Sequence, residues 1–125
     1  MRPFDDLRGR APEMTEKAID FAYLSRQTAG DHELERELLT LFAQQCIVHL
    51  RVIDDSADHQ QRMDAAHALK GAARAVGAWQ VAEAADRIEE SLAGPQREAS
   101  ESALDALALA AAEARAAIAR FDCGA

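Results

Sequence analysis

The stretch LERELLTLFAQQCIVHLRVI, residues 34–53, predicts the fold class of the chain. Its larger apolar residues recur at steps of three and four, so they form one broad face of a helix. They are Leu34, Leu38, Leu41, Phe42, Cys46, Ile47, Leu50 and Ile53. Asp31 is suited to cap the start of this helix, and an acidic run over residues 54–58 ends the pattern. A helix with such a face needs other helices to cover it.

Four further helices are predicted, with short connections between them. We expect them over residues 15–27, with Thr15 as the cap, over residues 59–76, between Gly77 and Gly94, and over residues 98–121. Short connections between consecutive amphipathic helices place neighbouring helices antiparallel. The sequence therefore predicts an all-α fold, an antiparallel up-and-down four-helix bundle with an additional short N-terminal helix.

The length of 125 residues fits a single domain. Within it we expect an N-terminal arm over residues 1–14, where prolines and mixed charges interrupt any pattern. The bundle is expected over residues 15–122, and a short C-terminal tail over residues 123–125.

Charge and composition narrow the function classes. A net charge of −8 without any basic cluster has the wrong sign for binding a phosphate backbone, so no nucleic-acid partner is expected. The two cysteines have neither CxxC nor metal-ligand spacing, which favours a reduced protein. Neither an apolar signal core nor a segment of membrane-spanning length is present. We therefore expect a cytoplasmic protein that does not contact a membrane.

The segment AHALKGAARAVGA, residues 66–78, contains an exposed histidine in the third predicted helix. At about 100° per residue, the apolar positions of this helix cluster in one direction, which must face the core. By the same rotation His67 points roughly 140° away from them, toward solvent. Gly71, Arg74 and Ala78 fall on the same outer face, and Lys70 lies at the flank next to the histidine.

Gly71 follows the histidine by one helical turn. A helical side chain covers the turn that precedes its own α-carbon, so any side chain at position 71 would lie over the imidazole of His67. Glycine there costs about 1 kcal/mol of helix stability relative to alanine, but it leaves the space above the ring open. Lys70 can bring its ammonium close to an anion on that ring. These three residues together indicate a site for a transferable phosphoryl group.

Six residues carry a family resemblance: His67, Leu69, Lys70, Gly71, Gly77 and Ala78. They resemble the signature HxLKGxxxxxGA of histidine-containing phosphotransfer (HPt) domains. The stretches LERELLTLFAQQC before it and VAEAADRIEE after it also resemble the neighbouring helices of that family, the second ending in the pair Ile88 and Glu89. The resemblance covers roughly residues 15–121. One departure is that alanines at positions 72 and 73 stand where the family often has hydroxyl residues.

The resemblance implies a four-helix bundle whose histidine takes a phosphoryl group from the aspartate of one receiver domain and gives it to another. His67 would be the phosphoryl acceptor and donor, Lys70 would stabilise the charge, Gly71 would give access, and Glu89 would support the site. We expect the partner to dock on the surface around His67. This docking surface is predicted to consist of Asp64, Ala68, Arg74, Ala75 and Ala78.

The expected partners are receiver domains of response regulators and of a hybrid histidine kinase. No cofactor or metal is expected in this chain, because the receiver domain would supply the Mg²⁺. The protein would be a phosphorelay intermediate and not an enzyme, and we expect it to be a monomer.

Three other classes compete with this prediction. A histidine kinase needs a nucleotide-binding domain, and its phosphorylated histidine is typically followed by an acidic residue, whereas Ala68 follows His67. A metal-binding bundle needs paired ligand motifs, but Asp64 with His67, and Cys46 with His49, each occur without a second copy. The remaining alternative is a non-phosphorylated helical-bundle adaptor that binds a signalling partner.

Overall fold

The structure, a computed structural model, describes residues 18–124, with side chains described through residue 121. This part of the chain contains five helices and no strand: α1 (Phe21–Gln27), α2 (His32–Asp55), α3 (His59–Val76), α4 (Trp79–Ala93) and α5 (Glu101–Gly124). None of these helices is both long enough and apolar enough to cross a membrane. The predicted N-terminal arm lies outside the described residues.

Aspartate side chains cap the N-terminal ends of α2 and α3. The carboxylate of Asp31 accepts a hydrogen bond from the backbone N–H of Leu34 at 3.1 Å and caps α2. Asp58 caps α3 in the same way through the N–H of Gln61, also at 3.1 Å. Each cap satisfies a backbone donor that the first helical turn leaves without a partner. The predicted limits of α2, α3 and α4 are confirmed.

Helices α2 to α5 form the four-helix bundle, in which each helix packs against the next and α5 packs back against α2. The short helix α1 lies against α2 and α3. The predicted fold class is therefore confirmed. The largest fully buried side chains come from α1, the segment before it and all four bundle helices: Ile19, Leu24, Leu39, Phe42, Cys46, Ile53, Leu69, Val81, Ile88, Leu92 and Leu107. Alanines such as Ala73, Ala85, Ala111 and Ala114 fill the remaining core and permit close helix packing.

The first helix begins later than predicted. A continuous helix from Thr15 is wrong, because residues 18–20 are not helical and Asp20 caps α1 at Phe21. The N–H of Asp20 donates to the carbonyl of Gly77 at 2.8 Å, and the indole N–H of Trp79 donates to its carboxylate at 3.0 Å. These long-range bonds fix Asp20 at the junction of α3 and α4, so the chain turns there.

The apolar face of α2 is broader than the core that covers it. Leu34, Leu41 and Ile47 are exposed, Leu41 by 50%, although the periodicity places them on the apolar face. Leu39, Phe42, Cys46 and Ile53, which point in similar directions on this helix, are fully buried. The predicted arc was too wide because neighbouring helices cover only its middle.

Gly77 forms the tight junction between α3 and α4. Its φ of +81° is left-handed, and a Cβ there would lie 3.0 Å from the Asp20 carbonyl oxygen and 3.1 Å from the Tyr23 ring. Only glycine fits both the dihedral angle and the close approach of α1. This junction fixes where α4 starts, and so it fixes which residues of α4 lie beside His67.

Candidate functional site

His67 lies near the middle of α3 with its side chain 69% exposed. Leu69 and Ala73, on the opposite side of the same helix, are fully buried in the core. The burial of these neighbours fixes the rotation of α3 about its axis. An accessible imidazole is thus held on a rigid helix and not on a loop.

Glu89 of α4 contacts the imidazole from the neighbouring helix. Its Oε2 lies 2.9 Å from Nδ1 of His67. A carboxylate only accepts hydrogen bonds, so in the neutral ring Nδ1 carries the hydrogen and Nε2 has the free lone pair. The contact therefore orients the ring and leaves the lone pair of Nε2 free on the exposed side chain.

Lys70 is held between two carboxylates of α4. Its Nζ lies 2.8 Å from Oε1 of Glu89 and 3.1 Å from Oδ1 of Asp86, and its side chain is only 14% exposed. The hydrogen bonds to Glu89 and Asp86 raise the pKa of Lys70, while burial opposes them. The hydrogen bond from Lys70 lowers the pKa of Glu89, with His67 adding to the effect. The carboxylate of Glu89 thus contacts both the His67 imidazole and the Lys70 ammonium.

Asp86 is the residue of this cluster that the sequence analysis missed. It precedes Glu89 by three positions, which places both carboxylates on one face of α4. That spacing was readable from the sequence. The register of α4 against α3, which brings this face to Lys70, was not.

The space beside the imidazole is open. Gly71 is exposed, and a Cβ built at this position would meet no atom within 4 Å. Of the residues predicted to form the docking surface, Asp64, Ala68, Arg74 and Ala75 are exposed on α3. Small side chains around an exposed histidine leave room for the surface of a partner.

Ala78 does not belong to that surface. The prediction that it lies on the outer face with His67 is wrong, because Ala78 is fully buried. The helix ends at Val76, and the left-handed Gly77 redirects the chain. The N–H of Ala78 then donates to the carbonyl of Ala73 at 2.8 Å, and the rotation of α3 no longer applies.

The other described histidines and Cys46 do not join this site. His59 contacts the carbonyl of Leu92 at 2.7 Å and ties α3 to the end of α4. His32 contacts Glu35 at 3.0 Å. Burial raises the pKa of Cys46 to about 11 and lowers the pKa of His49. Among the described side chains of residues 18–121, no three from His, Cys, Asp or Glu are grouped as metal ligands would be.

Comparison with known proteins identifies the family of the chain and supports its fold. The family model described as Hpt domain matches residues 33–117. The chain belongs to the Hpt family. It is also similar to the crystal structure of the histidine phosphotransferase ShpA from Caulobacter crescentus, with 34% identity and a TM-score of 0.66 over 84% of this chain and 90% of that chain. No curated protein sequence matches the chain.

Membership in the Hpt family establishes the coarse function. Hpt proteins are phosphotransfer intermediates without a kinase domain, and they interact with receiver domains of phosphorelay components. The family match and the ShpA match support a phosphorelay role for this chain. The fold and the family implied by the resemblance of the HxLKG segment are confirmed.

Proposed function

We propose that this Hpt protein carries a phosphoryl group on Nε2 of His67 between receiver-domain aspartates. The observation that supports this proposal most directly is the 2.9 Å contact between Glu89 and Nδ1. It leaves Nε2 as the nitrogen with a free lone pair on an exposed ring, and the open space at Gly71 lies one turn away.

In the proposed step, Nε2 attacks the phosphorus of a partner's aspartyl phosphate in line. The N–P bond forms while the P–O bond to the aspartyl oxygen breaks, and the aspartate leaves as a carboxylate. The hydrogen on Nδ1 stays in place, so the phosphorylated ring gains positive charge, which Glu89 stabilises. Reversal of the step on a second receiver domain returns His67 to its neutral form.

The partner supplies the rest of the chemistry. The receiver domain contributes the acceptor or donor aspartate and the Mg²⁺, and this chain contributes the nucleophile and the Lys70 ammonium. Asp64, Ala68, Arg74 and Ala75 form the docking surface. We place the exchange in the cytoplasm, between the receiver domain of a hybrid histidine kinase and that of a response regulator.

Transfer from a phosphorylated, radiolabelled receiver domain tests this proposal. The wild-type chain is expected to gain an acid-labile, base-stable label, which the His67→Gln variant should not gain. His32→Gln is the matched control, because His32 is also exposed but its ring contacts Glu35, away from α4. A label that persists in His67→Gln would show that another residue is phosphorylated. The absence of label from a panel of receivers would favour the adaptor alternative.

A further inference from the structure

We propose that Asp86 is a positioning residue that restrains Lys70 and thereby weakens the phosphohistidine, which keeps His67 a good phosphoryl donor. This inference rests on the proposed function, because it concerns the phosphorylated state of His67. It assigns a role to a residue outside the HxLKG segment, and it accounts for a second carboxylate at a site that must accept a dianion.

The geometry of Lys70 supports this role. Its ammonium lies between Oδ1 of Asp86 at 3.1 Å and Oε1 of Glu89 at 2.8 Å, both on α4, while the lysine itself extends from α3. Only 14% of the Lys70 side chain is exposed. In the unphosphorylated chain, the ammonium is therefore held at the interface of the two helices.

The two carboxylates have different contacts. Glu89 also binds Nδ1 of His67, so it is needed to orient the ring. For Asp86, the contact found within the described residues is the one to Lys70. Its effect on the imidazole must therefore pass through Lys70 or through the charge of the carboxylate itself.

The charges of the cluster oppose phosphorylation. One ammonium and two carboxylates sum to a net charge of −1 beside the neutral imidazole. A phosphoryl group on Nε2 places about two negative charges on its oxygens at neutral pH and one positive charge on the ring, so the site gains about one further negative charge in total. Lys70 can stabilise that group only to the extent that its ammonium is shared between the phosphoryl oxygens and the two carboxylates. Asp86 thus competes with the phosphoryl group for Lys70, and it also repels the group directly.

Removal of the Asp86 charge should therefore stabilise the phosphohistidine. We expect Asp86→Asn and Asp86→Ala to shift the transfer equilibrium toward phosphorylated His67 by about three- to tenfold, the range of a single partly screened charge contact. Asp86→Glu should return the equilibrium toward the wild-type value. The effect should shrink as salt is raised, because Asp86 is partly exposed.

The experiment is the equilibrium constant for phosphoryl exchange with one receiver domain in Mg²⁺ buffer, approached from both directions. This constant depends only on the free energies of the separate partners. A variant that merely docks poorly would therefore change the rates and leave the constant unaltered. Glu83→Gln is the matched control, because Glu83 lies on the same helix but pairs with Arg87 at 3.2 Å on an exposed surface.

The outcomes separate the two proposals. A shift toward phosphorylated His67 in both neutral variants, with Glu83→Gln at the wild-type value, supports the role of Asp86. An unchanged constant, or a shift toward the receiver, overturns that role while leaving the phosphotransfer function intact. A wild-type chain that no receiver labels would overturn the proposed function itself, and with it the role of Asp86.

Discussion

Replacement of Gly71 by alanine should raise stability and lower phosphoryl transfer at the same time. Gly71 lies in the interior of α3 on an exposed surface, without a positive φ, and an added methyl group would meet no atom within 4 Å. The full difference in helix propensity, about 0.8–1.0 kcal/mol, should therefore appear as added stability. At a typical urea dependence this is a shift of roughly 0.5 M in the unfolding midpoint.

The same methyl group should hinder the partner. It would extend over the turn that carries His67, where a receiver domain must approach Nε2. A misplacement of the reacting atoms by about 1 Å is enough to reduce the transfer rate by up to a hundredfold. Urea denaturation followed by circular dichroism measures the first effect, and the initial rate of transfer from a labelled receiver measures the second.

Ala112→Gly is the matched control for this pair of measurements, because Ala112 is exposed on α5. The Ala112→Gly variant should lose about as much unfolding free energy as Gly71→Ala gains, and its rate of phosphoryl transfer should equal that of the wild type. Our account of Gly71 would be refuted if Gly71→Ala destabilised the chain. It would also be refuted if the variant transferred phosphoryl groups at the wild-type rate.

Two further predictions concern the junction of α3 with α4 and the pH dependence of the site. Gly77→Ala should lower the free energy of unfolding, measured in urea, by about 2–4 kcal/mol, and Gly30→Ala should lower it by less. Both glycines have a positive φ, but only a side chain at position 77 would clash with α1 and the residue before it. Equal losses in the two variants would contradict the role of that close approach. The pKa of Glu89 is lowered from 4.5 in the folded chain, so its contribution to stability is present above that value and is lost as pH falls through the folded pKa. The difference in unfolding free energy between wild type and Glu89→Gln should therefore narrow below about pH 4.5, and a constant difference would count against the ion pair.

Much of the fold was predictable because the signals that define it are local. Aspartate caps and a glycine stop determine where α2 and α3 begin and end, and such signals depend on only a few consecutive residues. The start of α1 was not predictable in this way. Asp20 is held by Gly77 and Trp79, which follow it by more than fifty positions in the chain. A local sequence pattern cannot predict a contact between residues so far apart in the chain.

Some features of the candidate site were likewise predictable from the sequence, and others were not. The exposure of His67 and the open space at Gly71 follow from the rotation of one helix, which periodicity supplies. The contact of Lys70 with Asp86 depends on how far α4 is shifted along α3. Ala78 was misplaced because the rotation was extended past the end of the helix. The exposure of His67 needed only the rotation of α3, whereas the contact of Lys70 with Asp86 needed the packing of α4 against α3. Glu89 also lies on α4, and it was expected at the site only because of the family resemblance.

The two glycines of the HxLKGxxxxxGA segment therefore act on different properties of the protein. Gly77 is required by the chain's own fold, since a side chain there would meet α1. A side chain at Gly71 would meet nothing in the free chain, so glycine there costs helix stability without serving a contact of the fold. A related chain that kept Gly77 but carried a larger residue at position 71 should fold as this one does and still transfer poorly. Gly77 is thus evidence for the fold, whereas Gly71, next to Lys70 and one turn after His67, supports the proposed phosphoryl transfer.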